Sequence, residues 1–194
     1  MSVPATGFTL DVLEWEPWLA PVDYATATEA QRAALAETPS NTGLSPYSLM
    51  LAHDPEALRQ RTPLFNGIMY APRGLPRAER ELATLVESVL NGCVYCASVH
   101  ARRFAELTKE PEVVHRLYAE GAGTDLDPRR RAIVDFAAKL TATPPAAGPE
   151  DVAALRAAGL DDLQILDLIH AVAIFAWANR LMLTLGEPVR AAPG

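Results

Sequence analysis

A proline recurs where this chain starts its helices. Ser45-Pro46, Asp54-Pro55 and Asp127-Pro128 each set a capping side chain directly before a proline. The cap oxygen accepts a free backbone N–H, and the fixed φ of proline suits the first helical position. Pro76, Pro111 and Pro149 mark further starts, and Thr26 or Thr28 can cap a short helix through Leu35. Between these starts the apolar residues recur at helical spacing. Leu82, Leu85, Val86, Val89 and Leu90 form one stripe, and Ile133, Val134, Phe136, Ala137 and Leu140 form another. The stops are glycines: Gly92, Gly121, Gly159 and Gly186 follow the last periodic residues, as expected just past a helix end. Asp161 caps a long last helix to about Leu185 that is apolar on nearly every face, as a central buried helix would be. Pro63 lies inside the helix begun at Pro55 and should kink or interrupt it. No stretch alternates with period two, so no sheet is expected. The reading is an all-α helical bundle.

The punctuated part runs over residues 46–188. Residues 1–45 form an extension, rich in Pro and Trp up to about residue 24, and residues 189–194 a tail. In the extension, Leu10, Val12, Leu13, Trp15 and Trp18 read as an arm laid on its own domain or on a neighbouring subunit. Thr38–Gly43 is a loop by its turn residues. With 49% hydrophobic residues the chain can bury a sizeable core. A net charge of -7 argues against a general nucleic-acid or acidic-membrane binder, which needs a basic face. The longest apolar run, 171–178, falls short of the ~20 residues of a membrane span. The start shows no basic segment followed by an apolar one, so a cytoplasmic protein is expected.

The chemistry concentrates between Glu81 and His100. Both cysteines of the chain, Cys93 and Cys96, lie there as C-x-x-C, with His100 one helical turn after Cys96. Asn91-Gly92 ends one helix so that the next begins at the cysteines, and a helix N-terminus lowers a thiol pKa. The spacing lets the two sulfurs close into a disulfide, one attacking an oxidant and the other resolving the product. His100 is placed to accept or relay a proton, and Glu81 can return alongside if the two helices are antiparallel. Zinc binding competes, but a structural site needs four ligands and there is no second C-x-x-C. Two buried structural thiols beside a satisfied histidine are the other alternative. Among the remaining polar residues, His53 and His115 read as surface residues. His170, in the apolar last helix, reads as a core histidine or as a residue lining the site. Arg180 there reads as a buried charge needing a partner, and Arg129-Arg130-Arg131 as a solvated helix start.

Glu81-x11-Cys93-x-x-Cys96-x3-His100 resembles the signature of the alkylhydroperoxidase D and carboxymuconolactone decarboxylase-like superfamily, most closely its peroxidase-related branch. The likeness extends over about Pro46 to Pro188 and includes Arg80-Glu81-Leu82, Asn179-Arg180-Leu181 and Leu185-Gly186. It implies an all-α bundle of the alkylhydroperoxidase D-like type, assembled as a homo-oligomer, a trimer or hexamer. It further implies a thiol-dependent hydroperoxide reductase that binds no cofactor and works through a Cys93–Cys96 disulfide. Cys96 would attack the hydroperoxide, Cys93 would resolve the sulfenic acid, and Glu81 with His100 would relay the proton. A dithiol or a lipoyl-type reductant protein would recycle the disulfide. The peroxidase branch carries a histidine just before the second cysteine; here that position is Tyr95. That departure keeps other readings in play: a non-catalytic redox-sensing or assembly module, a general disulfide oxidoreductase, or a lyase or isomerase on the same bundle.

Overall fold

A computed structural model describes residues 3–37 and 44–190. In chain order these form β1 (Val3–Pro4), β2 (Glu14–Pro17), α1 (Glu29–Ala36), α2 (Pro46–Leu51), α3 (Pro55–Tyr70), α4 (Arg77–Leu90), α5 (Val94–Thr108), α6 (Pro111–Glu120), α7 (Pro128–Thr141), α8 (Pro149–Ala157), α9 (Asp162–Leu185) and β3 (Gly186–Arg190). The all-α class holds. The loop expected over residues 38–43 and residues 191–194 of the tail lie outside the described residues.

The helix starts follow the capping logic. Ser45 accepts from the Ser48 N–H at 3.1 Å, and Asp54 from the Ala57 N–H at 3.0 Å. Asp127 accepts from Arg129 and Arg130, while Thr28 and Asp161 form reciprocal capping boxes with Gln31 and Gln164. Each such cap contributes about 1 kcal/mol.

Pro63 does not interrupt α3, which is continuous from Pro55 to Tyr70. Proline deletes one ladder hydrogen bond. Leu58 and Thr62 before it, and Ile68 and Met69 after it, are buried and hold the two halves in line.

Two expectations about the centre of the bundle exchange places. α4, read as a helix with one apolar stripe, is enclosed all round. Arg80 to Ser88 are buried without a break, polar residues included, between α5, α7 and α9. Those polar residues tolerate burial because they have partners. Thr84 Oγ1 bonds the Arg80 carbonyl at 3.0 Å, and Ser88 Oγ bonds Asn179 Oδ1 at 3.3 Å. α9, read as wholly buried, keeps an outer face. Its inner residues Ile165, Leu168, Ala171, Val172 and Phe175 join the core, but Leu163, Leu166, Trp177 and Leu183 are exposed. By length and composition α9 could cross a bilayer. Here it packs against α4, α7 and α3. Arg180 also lies outside, with its guanidinium on the Ala176 carbonyl at 2.7 Å. The Arg129–Arg131 run is a set of clasps. Arg129 forks onto Glu79 at 2.6 and 2.9 Å, and Arg130 reaches Glu110 at 2.5 Å.

A small sheet was not expected. β3 lies between β1 and β2, antiparallel to both, with Val3 opposite Arg190 and Trp15 opposite Pro188. Strands of two to five residues are too short to show a period, and their partners lie at opposite ends of the chain. The sheet docks the N-terminal segment on its own domain. Trp15 is buried, and its Nε1–H donates to the Met182 carbonyl at 3.2 Å. Gly186 admits this approach, since a Cβ there would sit 2.4 Å from the Glu16 carbonyl oxygen. Trp15 thereby packs in one cluster with Met50, Met182 and both cysteines.

Arg80 is the largest side chain with no solvent exposure. It donates to the Ile68, Ala71 and Arg73 carbonyls at 2.8, 3.2 and 2.5 Å and to Asp167 at 3.0 Å. These bonds tie the end of α3 to α4 and α9. Asp167 Oδ2 also accepts from the Leu75 N–H at 2.9 Å. Gly74 makes room for that carboxylate: a Cβ there would lie 1.8 Å from it, and its φ of +76° favours glycine.

Candidate active site

The turn between α4 and α5 positions the thiols. Gly92 takes a φ of +72°, and the Cys93 N–H returns to the Ser88 carbonyl at 2.8 Å. This is a glycine-dependent helix stop. It delivers Cys93 to the N-cap position of α5 and Cys96 to its first turn. Because α4 and α5 run side by side as a hairpin, Glu81 and His100, far apart in sequence, meet.

Their contact is direct. His100 Nδ1 lies 2.5 Å from Glu81 Oε2. The other carboxylate oxygen, Oε1, accepts from Arg77 Nε at 2.6 Å. Glu81 has no exposure and His100 has 4%. Burial pushes the Glu81 carboxyl up, but His100 and Arg77 together outweigh it and hold the carboxyl below its ordinary value. The imidazole edge also stands on the face of Phe175, with centroids 4.2 Å apart and planes at 89°. With Nδ1 committed to the carboxylate, Nε2 is the ring nitrogen left for chemistry, and the carboxylate fixes the orientation of the ring.

Cys93 and Cys96 are free and buried. A hydrogen bond from the Cys96 thiol, assisted by the Cys96 backbone N–H, draws the Cys93 pKa down against burial. The same thiol pairing and burial push Cys96 well above its ordinary value. Negative charge in the reduced pair therefore favours Cys93. Access favours the other sulfur. A cavity of about 170 Å³ opens at Cys96, His100, Glu81 and Tyr95, and Cys93 does not line it.

Glu81, His100 and Cys96 thus converge on one cavity, with Tyr95 on its wall and Cys93 behind Cys96. His170 is in neither of its expected places. It is exposed and lines a separate outer groove of about 510 Å³ with Leu64 and Trp177. The imidazole points away because the buried stripe of α9 runs through Leu168, Ala171, Val172 and Phe175. Most of the cavity wall escaped the sequence reading, Arg77, Tyr47 and Arg61 among its polar residues. Arg77 stands one turn before Glu81, a spacing that could have revealed it. Tyr47 from α2 and Arg61 from α3 carry no local signal. Among the described residues, no group of three or more His, Cys, Asp or Glu converges as a metal site.

The carboxymuconolactone decarboxylase family model matches residues 55–139, a segment that contains Glu81, both cysteines and His100. Solved structures similar to this chain extend the likeness to nearly its whole length. One is an alkylhydroperoxidase AhpD core, an uncharacterized peroxidase-related protein from Ralstonia eutropha JMP134. It is 27% identical with a TM-score of 0.75, over 90% of each chain. These likenesses support a place for the chain in the alkylhydroperoxidase D and carboxymuconolactone decarboxylase-like superfamily. A second structure, an uncharacterized peroxidase-related protein from Silicibacter sp. TM1040, is 26% identical with a TM-score of 0.73. It covers 98% of this chain and 96% of its own. The debrominase Bmp8 shares the fold at 18% identity and a TM-score of 0.71, over 87% of this chain and 90% of its own. The fold is thus shared by a debrominase and by peroxidase-related proteins. No curated protein matches the chain.

Proposed function

We propose that this protein is a thiol-dependent hydroperoxide reductase. The observation that carries the reading is the 2.5 Å Glu81–His100 contact at the mouth of Cys96. The peroxidase-related neighbours support it. His100 Nε2 takes the first proton of the thiol pair, and Glu81 stabilises the imidazolium. The charge rests mainly on Cys93. As the hydroperoxide enters, the remaining proton shifts along the thiol hydrogen bond from Cys96 to Cys93. The Cys96 thiolate then attacks the distal peroxide oxygen. An S–O bond forms, the O–O bond breaks, and the imidazolium protonates the departing alkoxide to an alcohol. The Cys93 thiol attacks the Cys96 sulfenic acid, the S–O bond breaks, and water leaves with the Cys93 proton. The substrate gains two electrons and the pair is left as a disulfide. A dithiol or lipoyl-type reductant protein returns the two electrons by thiol–disulfide exchange.

The order of the sulfurs rests on access outweighing acidity. One equivalent of hydroperoxide should remove both thiols and yield an intramolecular Cys93–Cys96 disulfide. Loss of both thiols without that disulfide would eliminate the resolving step. Cys96→Ser should abolish peroxide consumption, and unchanged consumption by that variant would remove Cys96 as the attacking group. A redox-sensing module is a second reading, favoured by the burial of both sulfurs. It predicts negligible turnover and an oligomer size that changes on oxidation. The reading also places the protein in the reducing cytoplasm as a homo-oligomer, with the exposed apolar face of α9 as its contact. Gel filtration of Trp177→Glu, which puts a charge on that face, tests the contact.

A further inference from the structure

Arg61 is the cavity residue the proton relay leaves unexplained. It projects from α3 into the cavity wall, and burial lowers its pKa. Its Nε is buried without a hydrogen bond, and it forms no ion pair among the described residues. Among the described residues its guanidinium lies over aromatic faces, 4.6 Å from the Phe65 centroid and 5.8 Å from that of Tyr47. Aromatic faces compensate a desolvated cation only in part. The other deeply set arginine of the cavity, Arg77, is matched by Glu81. Tyr47 repeats the anomaly: its hydroxyl is buried and has no partner among the described residues. Burial pushes its pKa up, so at neutral pH it remains a donor. Buried polar groups are ordinarily paired, and two orphans on one wall point to an absent acceptor.

The charge balance agrees. The chain carries a net charge of -7, yet this cavity is lined by Arg61, Arg77 and Arg103 against the single carboxylate of Glu81. The remaining wall is apolar, with Phe65, Met69, Phe175 and Met182. Hydrogen peroxide would use neither the apolar wall nor the spare cation. A ligand with an apolar body and an anionic head would use both.

We propose that Arg61 and Tyr47 form an anion subsite, and that the substrate is an organic hydroperoxide bearing a carboxylate. The guanidinium fork and the phenol hold the carboxylate, the aromatic and methionine side chains hold the body, and the peroxide end lies toward Cys96. This identification of the substrate rests on the peroxidase reading of the cavity; the anion subsite does not.

The test is binding of phenylacetate and of the uncharged phenylacetamide to the reduced full-length protein, followed by calorimetry. Phenylacetate should bind at least about tenfold tighter, the lower end of what a hydrogen bond to a charged group provides. Arg61→Met should erase that preference without changing the thiol count. Equal affinity for the two probes, or a preference that survives Arg61→Met, overturns the subsite. Should Arg61→Met fail to fold, Tyr47→Phe decides: weaker phenylacetate binding with phenylacetamide unchanged supports the subsite, and any other pattern overturns it. Since binding needs no turnover, an acid preference in a protein that consumes no hydroperoxide would leave the subsite standing and refute the peroxidase reading. In an active protein, Arg61→Met should lower kcat/KM for a carboxylated aryl hydroperoxide relative to cumene hydroperoxide by about tenfold. An unchanged ratio refutes the substrate assignment.

Discussion

Arg80 and Glu81 leave α4 from adjacent positions, and both end with no solvent exposure. Arg80 turns into a clamp. Its guanidinium meets three backbone carbonyls and Asp167, with only its Nε left over. Glu81 turns into the cavity and holds His100, and the same cavity is lined by Arg61 and Tyr47, which have unused donors among the described residues. The clamp spends its polar capacity on the protein itself. The cavity holds some in reserve, and a reserve of unpaired buried donors costs stability unless a ligand uses it. That contrast distinguishes a structural charge cluster from a functional one in this fold, and substitutions on either side can break it.

The largest effect on stability should come from the clamp. Asp167→Ala leaves the buried Arg80 charge without its carboxylate and should cost roughly 3–5 kcal/mol, measured by denaturant unfolding. Equal stability of this variant and the parent would mean that the three carbonyls alone sustain the charge. Next is the relay. Glu81→Gln keeps the shape of the side chain but withdraws the charge that supports the His100 imidazolium, and peroxide turnover should fall about 100-fold. A loss of only a few fold would show that His100 acts without its carboxylate. Smaller, and opposite in sign to the clamp, is Tyr47→Phe. Removing an unpaired buried hydroxyl should raise stability by about 1 kcal/mol in thermal unfolding while weakening carboxylate binding. A destabilised Tyr47→Phe would mean the hydroxyl has a partner after all.

The smallest effect separates two buried glutamates on α4 by pH. Glu81 is held below its ordinary value of 4.5, so its contribution is full above that value and is lost as pH falls through the folded pKa. Glu87 is raised, because burial outweighs its bonds from Thr141 and Asn91. Its folded carboxyl holds the proton longer, so stability falls as pH rises from 4.5 through the folded pKa. Glu87→Gln should flatten the neutral side of the Tm profile, and Glu81→Gln the acid side. Profiles that flatten on the same side would contradict the assignment.

Much of the bundle is legible in one dimension because caps, proline starts and glycine stops are local. Ser45, Asp54, Asp127 and Asp161 act within three residues of themselves, and the backbone alone decides them. The Cys96–His100 spacing is local in the same way, one turn of α5. The burial of α4 and the exposed face of α9 were not legible, because composition cannot say which helix the others surround. The sheet was hidden for a related reason: Trp15 and Pro188 pair across almost the whole chain, and neither short strand carries a period.

The sequence by itself determined a helical bundle, a dithiol at a helix N-terminus and a histidine one turn beyond. Only the tertiary structure decided that Glu81 reaches His100, that His170 faces outward, and that Cys96 rather than Cys93 opens to the cavity. It alone set Arg61 and Tyr47, from two other helices, on the wall of the same cavity. The physical reason is range. Capping and helical spacing act through neighbouring peptides, whereas matching a buried charge depends on which groups packing brings within a few ångströms.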